Sequence, residues 1–167
     1  MKMGWGGAVV CVVTLGLAGC ESSTEGALPS AEQVGSSYQY AGGVQAEIVG
    51  NVAVVLVPQS AQQLRRGGKL WAKVGPYIFL FSEETRLLFE EYAGLAAVRV
   101  ITTVGDAEVA NAMLLADELP EILWRRSLNI AGHARRDGTE RMTLLEDLVD
   151  WGEAHTEYTY NERFISR

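Results

Sequence analysis

The sequence predicts an α+β domain in which helices pack on one face of a small, mainly antiparallel sheet. Two segments rich in β-branched residues, 47–57 and 97–104, predict strands. Other segments begin with helix-capping residues and continue with apolar residues at helical spacing. The resulting order, roughly β-β-α-β-β-α-α-β, lacks the regular alternation of helix and strand that is typical of parallel sheets.

The strands are predicted from β-branched and aromatic residues, turn residues and continuous apolar runs. Four segments carry these signals: 47–57, 77–81, 97–104 and 156–160. The turn residues Gly50 and Asn51 allow the first segment to form a hairpin. Residues 107–116 fit a helix by propensity or a strand after the Gly105-Asp106 turn, and their alternation favours the strand.

The helices are predicted from capping residues that precede apolar residues at helical spacing. They are expected over 59–66 as one or two turns, from Ser82 to Gly94, from Asp117 to Arg135, and from Thr143 to Ala154. Asp117 is expected to cap its helix, and Thr143 to form a capping box with Glu146. Residues 69–75 follow Gly67-Gly68 and end at Gly75-Pro76, which predicts a loop or short strand.

Residues 20–45 predict a flexible tether. From Glu21 onward the segment is rich in serine, glycine, alanine and glutamate and holds little apolar material. Such a composition cannot bury enough surface to offset the entropy lost on ordering. The chain is therefore divided into a signal segment (1–19), a tether (20–45) and a single α+β domain (46–167).

The first twenty residues carry a secretion signal. Lys2 precedes an apolar run over residues 8–17, which is too short to span a bilayer as a helix. The sequence Leu17-Ala18-Gly19-Cys20 resembles the lipobox of bacterial lipoproteins. That resemblance implies acylation of the Cys20 thiol, cleavage before Cys20, and a lipid anchor that holds the protein at the bacterial cell envelope. The alternative is an ordinary cleaved signal peptide that leaves Cys20 as a free thiol.

Charge and cysteine content exclude several functions. The net charge of −7 does not attract nucleic acid, and anionic lipid head groups would repel it. Membrane attachment is therefore expected to depend on acyl chains alone. Of the two cysteines, Cys11 lies in the removed segment and Cys20 is expected to be acylated, so we predict no disulfide and no cysteine-ligated metal.

No catalytic set is apparent in the sequence. His133 and His155 lack the spacing of metal ligands. His133 lies near the C-terminus of a predicted helix and His155 follows the end of another, where the helix dipole favours a cation. The acidic residues fall on predicted first turns or solvent faces. No Gly-x-Ser-x-Gly or phosphate-binding glycine motif occurs. A non-catalytic protein without cofactor is therefore the favoured interpretation.

Arg66, Trp71 and Tyr77 are the candidate partner-binding residues. They lie in or beside the predicted loop over 67–77. Tryptophan, tyrosine and arginine contribute most to the binding energy of protein interfaces. The first functional hypothesis is therefore a module that binds another protein or an envelope component. The alternative for Trp71 is that its ring folds back to seal the core.

Arg125, Arg126 and Arg136 are candidate anion-binding residues. They lie on one predicted helix of an otherwise acidic chain, and arginine binds carboxylates and phosphates in a bidentate manner. The second functional hypothesis is accordingly a lipoprotein that binds a small anionic ligand. The alternative is that these arginines pair with neighbouring carboxylates or complement the helix C-terminus.

Overall fold

The computed structural model describes residues 26–166, apart from the side chain of Arg66, and shows an α+β domain. The elements are α1 (Ala31–Ser37), β1 (Gln45–Val49), β2 (Val52–Pro58), α2 (Ala61–Leu80), α3 (Glu83–Glu91), β3 (Ala97–Val104), β4 (Ala107–Leu115), α4 (Glu121–Asp137), α5 (Met142–His155), β5 (Glu157–Tyr160) and α6 (Glu162–Ile165). The signal segment and Cys20 lie outside the described residues.

The five strands form one sheet in the order β1-β2-β3-β4-β5. All neighbours are antiparallel except β2 and β3, which are parallel and are joined by the crossover through α2 and α3. The predicted hairpin in 47–57 is confirmed, and residues 107–116 contain a strand, β4. Gly50 and Gly105 close the two hairpins with φ of 63° and 56°, a conformation that favours glycine.

The helices pack on one face of the sheet, as predicted. The strand side chains on that face are buried in the core, for example Val55, Val100 and Leu114. Helix α2 contacts β3 and β4 directly, and α4 and α5 pack against α2 from the other side. The opposite side of the sheet, called the open face below, consists of the alternate residues of each strand.

The predictions for residues 69–81 are wrong. Residues 69–75, expected as a loop or short strand, and 77–80, expected as part of a strand, belong to α2, whose 20 residues end at Leu80. Phe81 caps the end of this helix. Helix α2 lies between the sheet and α5, so it is apolar on both sides, and a continuous apolar run fits a buried helix as well as a strand. Within residues 26–166, neither α2 nor any other helix has the length and apolar character needed to cross a membrane.

Two glycines shape α2. Gly68 has φ 65° and kinks the helix, so that a second helical segment begins at Lys69. Gly75 lies where α2 crosses the end of β3. A Cβ atom there would lie 2.3 Å from Nε2 of Gln59 and 3.0 Å from Cγ2 of Thr102. The Gly75-Pro76 pair therefore marks a close helix–sheet contact rather than the end of a loop.

The structure differs from the predicted tether over residues 30–45. Ser30 and Gln33 form a capping box at the start of α1. Val34 and Tyr38 are buried in the core, and the Tyr38 hydroxyl lies 2.7 Å from Oγ1 of Thr85. Two buried side chains and a capped turn thus bring a mainly polar segment into the domain, because their burial compensates the ordering entropy.

The predicted helix caps have mixed outcomes. Ser82 caps α3 as expected, with its Oγ accepting the Thr85 N–H at 3.3 Å. Helix α4 begins only after Pro120, so Asp117 does not cap it. Helix α5 begins after Arg141 without a side-chain cap, so the capping box at Thr143 is also wrong. Both helices pack against α2, which stabilises them without the predicted caps.

Candidate binding site

A cavity of about 270 Å³, called the aromatic cavity below, lies beside α2. Four aromatic side chains line it: Tyr38, Tyr40, Trp71 and Phe79. The two tyrosines follow α1, whereas Trp71 and Phe79 lie about two turns apart on the second segment of α2. The kink at Gly68 and the docking of α1 together bring these sequence-distant rings to one place.

Local packing fixes the orientation of the rings. The Trp71 indole lies against the backbone of Gly67, where an added Cβ atom would be only 1.4 Å from Cδ1 of Trp71. Tyr40 meets Phe79 edge-to-face with ring centroids 5.5 Å apart, and Tyr38 meets Phe79 at 6.1 Å. The aromatic surface of the cavity is therefore preformed, which lowers the entropic cost of binding.

Polar side chains complete the lining of the aromatic cavity, among them Gln63 and Glu84. Glu84 is partly exposed and forms no ion pair within residues 26–166. Gln59 also lines the cavity, but its Oε1 is buried from solvent and accepts no hydrogen bond from the same residues. Arg135 of α4 lines the cavity as well, and its Nη2 donates to the carbonyl of Ile78 at 2.7 Å. The cavity thus offers aromatic surface together with several polar side chains.

The three predicted partner-binding residues are separated in the structure. Trp71 is half-buried and lines the aromatic cavity. Tyr77 is fully buried on another side of α2, where its hydroxyl is hydrogen-bonded to that of Tyr160. Burial raises the pKa of Tyr77 far above its ordinary value. Arg66 lies on α2 before the kink, and its side chain is outside the described part of the chain.

The three predicted anion-binding residues do not converge either. Arg125 lies 3.7 Å from a carboxylate oxygen of Glu121, and Arg126 stacks over the Trp151 ring at 4.4 Å. Arg136 lies 3.3 Å from Asp137. Arg125 and Arg136 are three helical turns apart, about 16 Å along α4. Each arginine therefore interacts with its own neighbour on the protein surface.

A second cavity, of about 500 Å³, carries positive charge and is called the cationic cavity below. Arg65, Lys69 and Arg163 line it together with apolar residues, and its described lining contains no carboxylate. None of the three cations forms an ion pair within residues 26–166. Arg65 and Lys69 flank Gly67-Gly68 in the sequence, whereas Arg163 lies far from them in the chain, on α6.

The histidines lie at the surface away from both cavities. Nδ1 of His133 is 2.8 Å from Nη2 of Arg136. Nδ1 of His155 is 3.2 Å from Glu118, and its ring packs against Trp151. In the described chain, no group of three or more histidine, cysteine or acidic side chains is arranged to hold a metal ion.

No protein-family model, curated protein or solved structure matches this chain. What the domain binds is therefore inferred from the side chains of the two cavities. The aromatic cavity is the better formed, because the segment after α1, the end of β2, and helices α2, α3 and α4 all contribute to its wall.

Proposed function

We propose that the protein is a bacterial envelope lipoprotein whose domain is a non-catalytic module that binds a protein partner or an envelope component. The observation that supports binding is the aromatic cavity, whose lining combines four rings with polar side chains, among them Glu84 and Arg135. A mainly apolar group that carries an N–H or O–H donor fits this lining, since Glu84 is a hydrogen-bond acceptor there. A side chain or a ring protruding from a partner meets that description.

The anchor is the second part of the proposal. The lipobox-like sequence at Leu17–Cys20 supports acylation of Cys20, and more than one acyl chain makes membrane attachment stable. The described chain begins at Gly26, where the backbone is held against Gly94 by a hydrogen bond from the Gly94 N–H to the Ala27 carbonyl. The six residue steps from Cys20 to Gly26 span at most about 20 Å, so the domain would remain close to the bilayer.

Replacing Trp71 with alanine is expected to reduce partner capture at least tenfold. Truncating a central aromatic side chain in a preformed pocket typically costs 2 kcal/mol or more of binding free energy. The measurement is chemical cross-linking in intact cells followed by affinity capture of the tagged full-length chain. Because Trp71 is only half-buried, the purified variant should still unfold cooperatively.

Two variants control this experiment. Ile122→Ala removes an exposed apolar side chain, 67% accessible, from the start of α4 and should leave capture unchanged. Cys20→Ser should remove acylation and lower the capture of a membrane-bound partner, whereas Cys11→Ser should do neither. Equal capture by the Trp71→Ala variant and the unmodified chain would disprove the role of the aromatic cavity.

The cationic cavity favours a second candidate function, the binding of a small anionic ligand. Its cations differ from the predicted set, because Arg65, Lys69 and Arg163 take the place of the three α4 arginines. Inorganic phosphate and citrate are then expected to raise the melting temperature in proportion to the logarithm of their concentration above Kd. The double variant Arg65→Gln with Lys69→Gln should lose this shift. A melting temperature unaffected by either anion would exclude the candidate.

A further inference from the structure

The open face of the sheet carries an arginine at its centre. The strand register aligns one residue from each strand in a row across the sheet: Glu47, Val54, Arg99, Met113 and Glu157. Side chains of directly paired residues point to the same side of a sheet, so all five share the open face. Arg99 lies on the central strand, and the two glutamates lie on the two edge strands.

The surface around Arg99 is more apolar than polar. On the open face, one neighbouring row consists of Val49, Val52, Ala97 and Leu115, and the other of Gln45, Leu56, Ile101, Asn111 and Thr159. Val49 is 57% and Leu115 39% accessible. A sheet face exposed to water usually carries mainly polar side chains. An apolar excess of this kind is typical of a surface that another molecule covers.

Arg99 lacks an oxygen acceptor. Its Nε is buried and has no hydrogen-bond partner within residues 26–166, and its Nη2 reaches only the sulfur of Met113 at 3.4 Å. A thioether is a weak acceptor, whereas a guanidinium binds carboxylates strongly. The backbones of Glu47 and Glu157 are each two strands, about 10 Å, from that of Arg99. Glu157 lines a surface pocket together with Arg99, yet neither glutamate forms an ion pair with Arg99 in the described structure.

This charge pattern is self-complementary. Two sheets that pack face to face lie about 10 Å apart, which long arginine and glutamate side chains bridge from opposite sides. A two-fold axis that runs along β2 places β3 of one copy opposite β1 of the other. A two-fold axis that runs along β4 instead places β3 of one copy opposite β5 of the other. Either axis brings Arg99 of each copy to a glutamate of its mate, and the contact occurs twice, as in an isologous dimer.

We propose that a second copy of this chain covers the open face, with Arg99 of each copy bound to Glu47 or Glu157 of the other. The apolar residues that flank the row supply the buried area, and the two ion pairs fix the register. The occupant is inferred from charge complementarity, because the one cation of the row is equidistant, in strands, from two carboxylates. This inference is independent of what the aromatic cavity binds.

The test is sedimentation equilibrium of the full-length chain in a density-matched detergent, which reports protein mass alone. The chain without substitutions is expected to be a dimer. Arg99→Glu should weaken dimerisation at least tenfold, since it opposes like charges at two contacts. Adding either Glu47→Arg or Glu157→Arg to that variant reverses both charges of one possible ion pair. Only the double variant at the glutamate that binds Arg99 should dimerise again, and this identifies the two-fold axis.

The single variants Glu47→Arg and Glu157→Arg keep the test decisive if Arg99→Glu disturbs folding. Both glutamates are exposed on edge strands, so their substitution should leave the melting temperature unchanged while one of them dissociates the dimer. Glu146→Arg on the exposed side of α5 is the matched control and should remain dimeric. The proposal would be overturned if the chain without substitutions were a monomer. It would also be overturned if none of the three single charge reversals, at residues 47, 99 and 157, weakened the dimer.

Discussion

Substitution of Gly152 by alanine is expected to destabilise the domain by about 2–3 kcal/mol, although alanine is the better helix former. Gly152 lies in α5 where that helix crosses α2. A Cβ atom there would lie 2.4 Å from Cδ1 of Tyr77. Tyr77 cannot move aside easily, since it is fully buried, stacks on Phe81 and is hydrogen-bonded to Tyr160. Urea unfolding followed by circular dichroism measures the loss.

Gly132→Ala is the matched control. Gly132 is also in a helix, α4, but it is exposed and an added Cβ atom would meet nothing within 4 Å. Here only the helix propensity changes, so the free energy of unfolding should rise by up to about 1 kcal/mol. If both glycine substitutions changed stability equally, the close contact between α5 and Tyr77 would be disproved.

Above about pH 10 the free energy of unfolding is expected to fall by roughly 3 to 4 kcal/mol per pH unit, where the lower figure allows for the partial exposure of Tyr160. Burial raises the pKa of Tyr38, Tyr77 and Tyr160 well above the ordinary tyrosine value. The folded state therefore keeps all three phenols neutral, whereas the unfolded state releases their protons. Each tyrosine contributes about 1.4 kcal/mol per pH unit, and this contribution to stability is fully present below the unfolded-state pKa.

Urea unfolding at a series of alkaline pH values measures this slope. Tyr38→Phe should reduce the slope by about a third, because only two of the three phenols then remain to release a proton on unfolding. The substitution leaves Thr85 Oγ1 with a partner, since that hydroxyl donates to the Phe79 carbonyl at 2.8 Å. A slope that corresponds to one tyrosine or fewer, or one that Tyr38→Phe leaves unchanged, would contradict the burial of the three phenols.

The helix α2 shows where sequence reasoning about the fold was insufficient. The strands were predictable because β-branched runs end at turn residues such as Gly50 and Gly105. The run from Tyr77 to Phe81 is equally apolar, yet its residues up to Leu80 are helical. An apolar segment has the same pattern in a buried strand and in a helix covered on both sides, so only its neighbours distinguish them. Residues 30–38 are the reverse case, in which two buried side chains order a polar segment.

The candidate site was predictable only in part. Trp71 was singled out by residue type, and it does line the aromatic cavity. Its companions there, Tyr40, Phe79 and Gln59, are far apart in sequence and follow no motif. The predicted α4 arginines lie on one helix, but one helix distributes side chains around its axis and along its length. Convergence of side chains is a property of packing, which the residue order of one segment does not encode.

By itself, the sequence determined the α+β class, both hairpins, the approximate extents of α3, α4 and α5, and the signals on which the proposed anchor depends. These follow from local causes, namely propensity, turn chemistry and the spacing of apolar residues, which act within a few residues. Only the tertiary structure decided that residues 69–80 are helical, that α1 belongs to the domain, and that Arg99 occupies the centre of a mainly apolar sheet face. These depend on contacts between distant segments, where burial and strand register outweigh local preference.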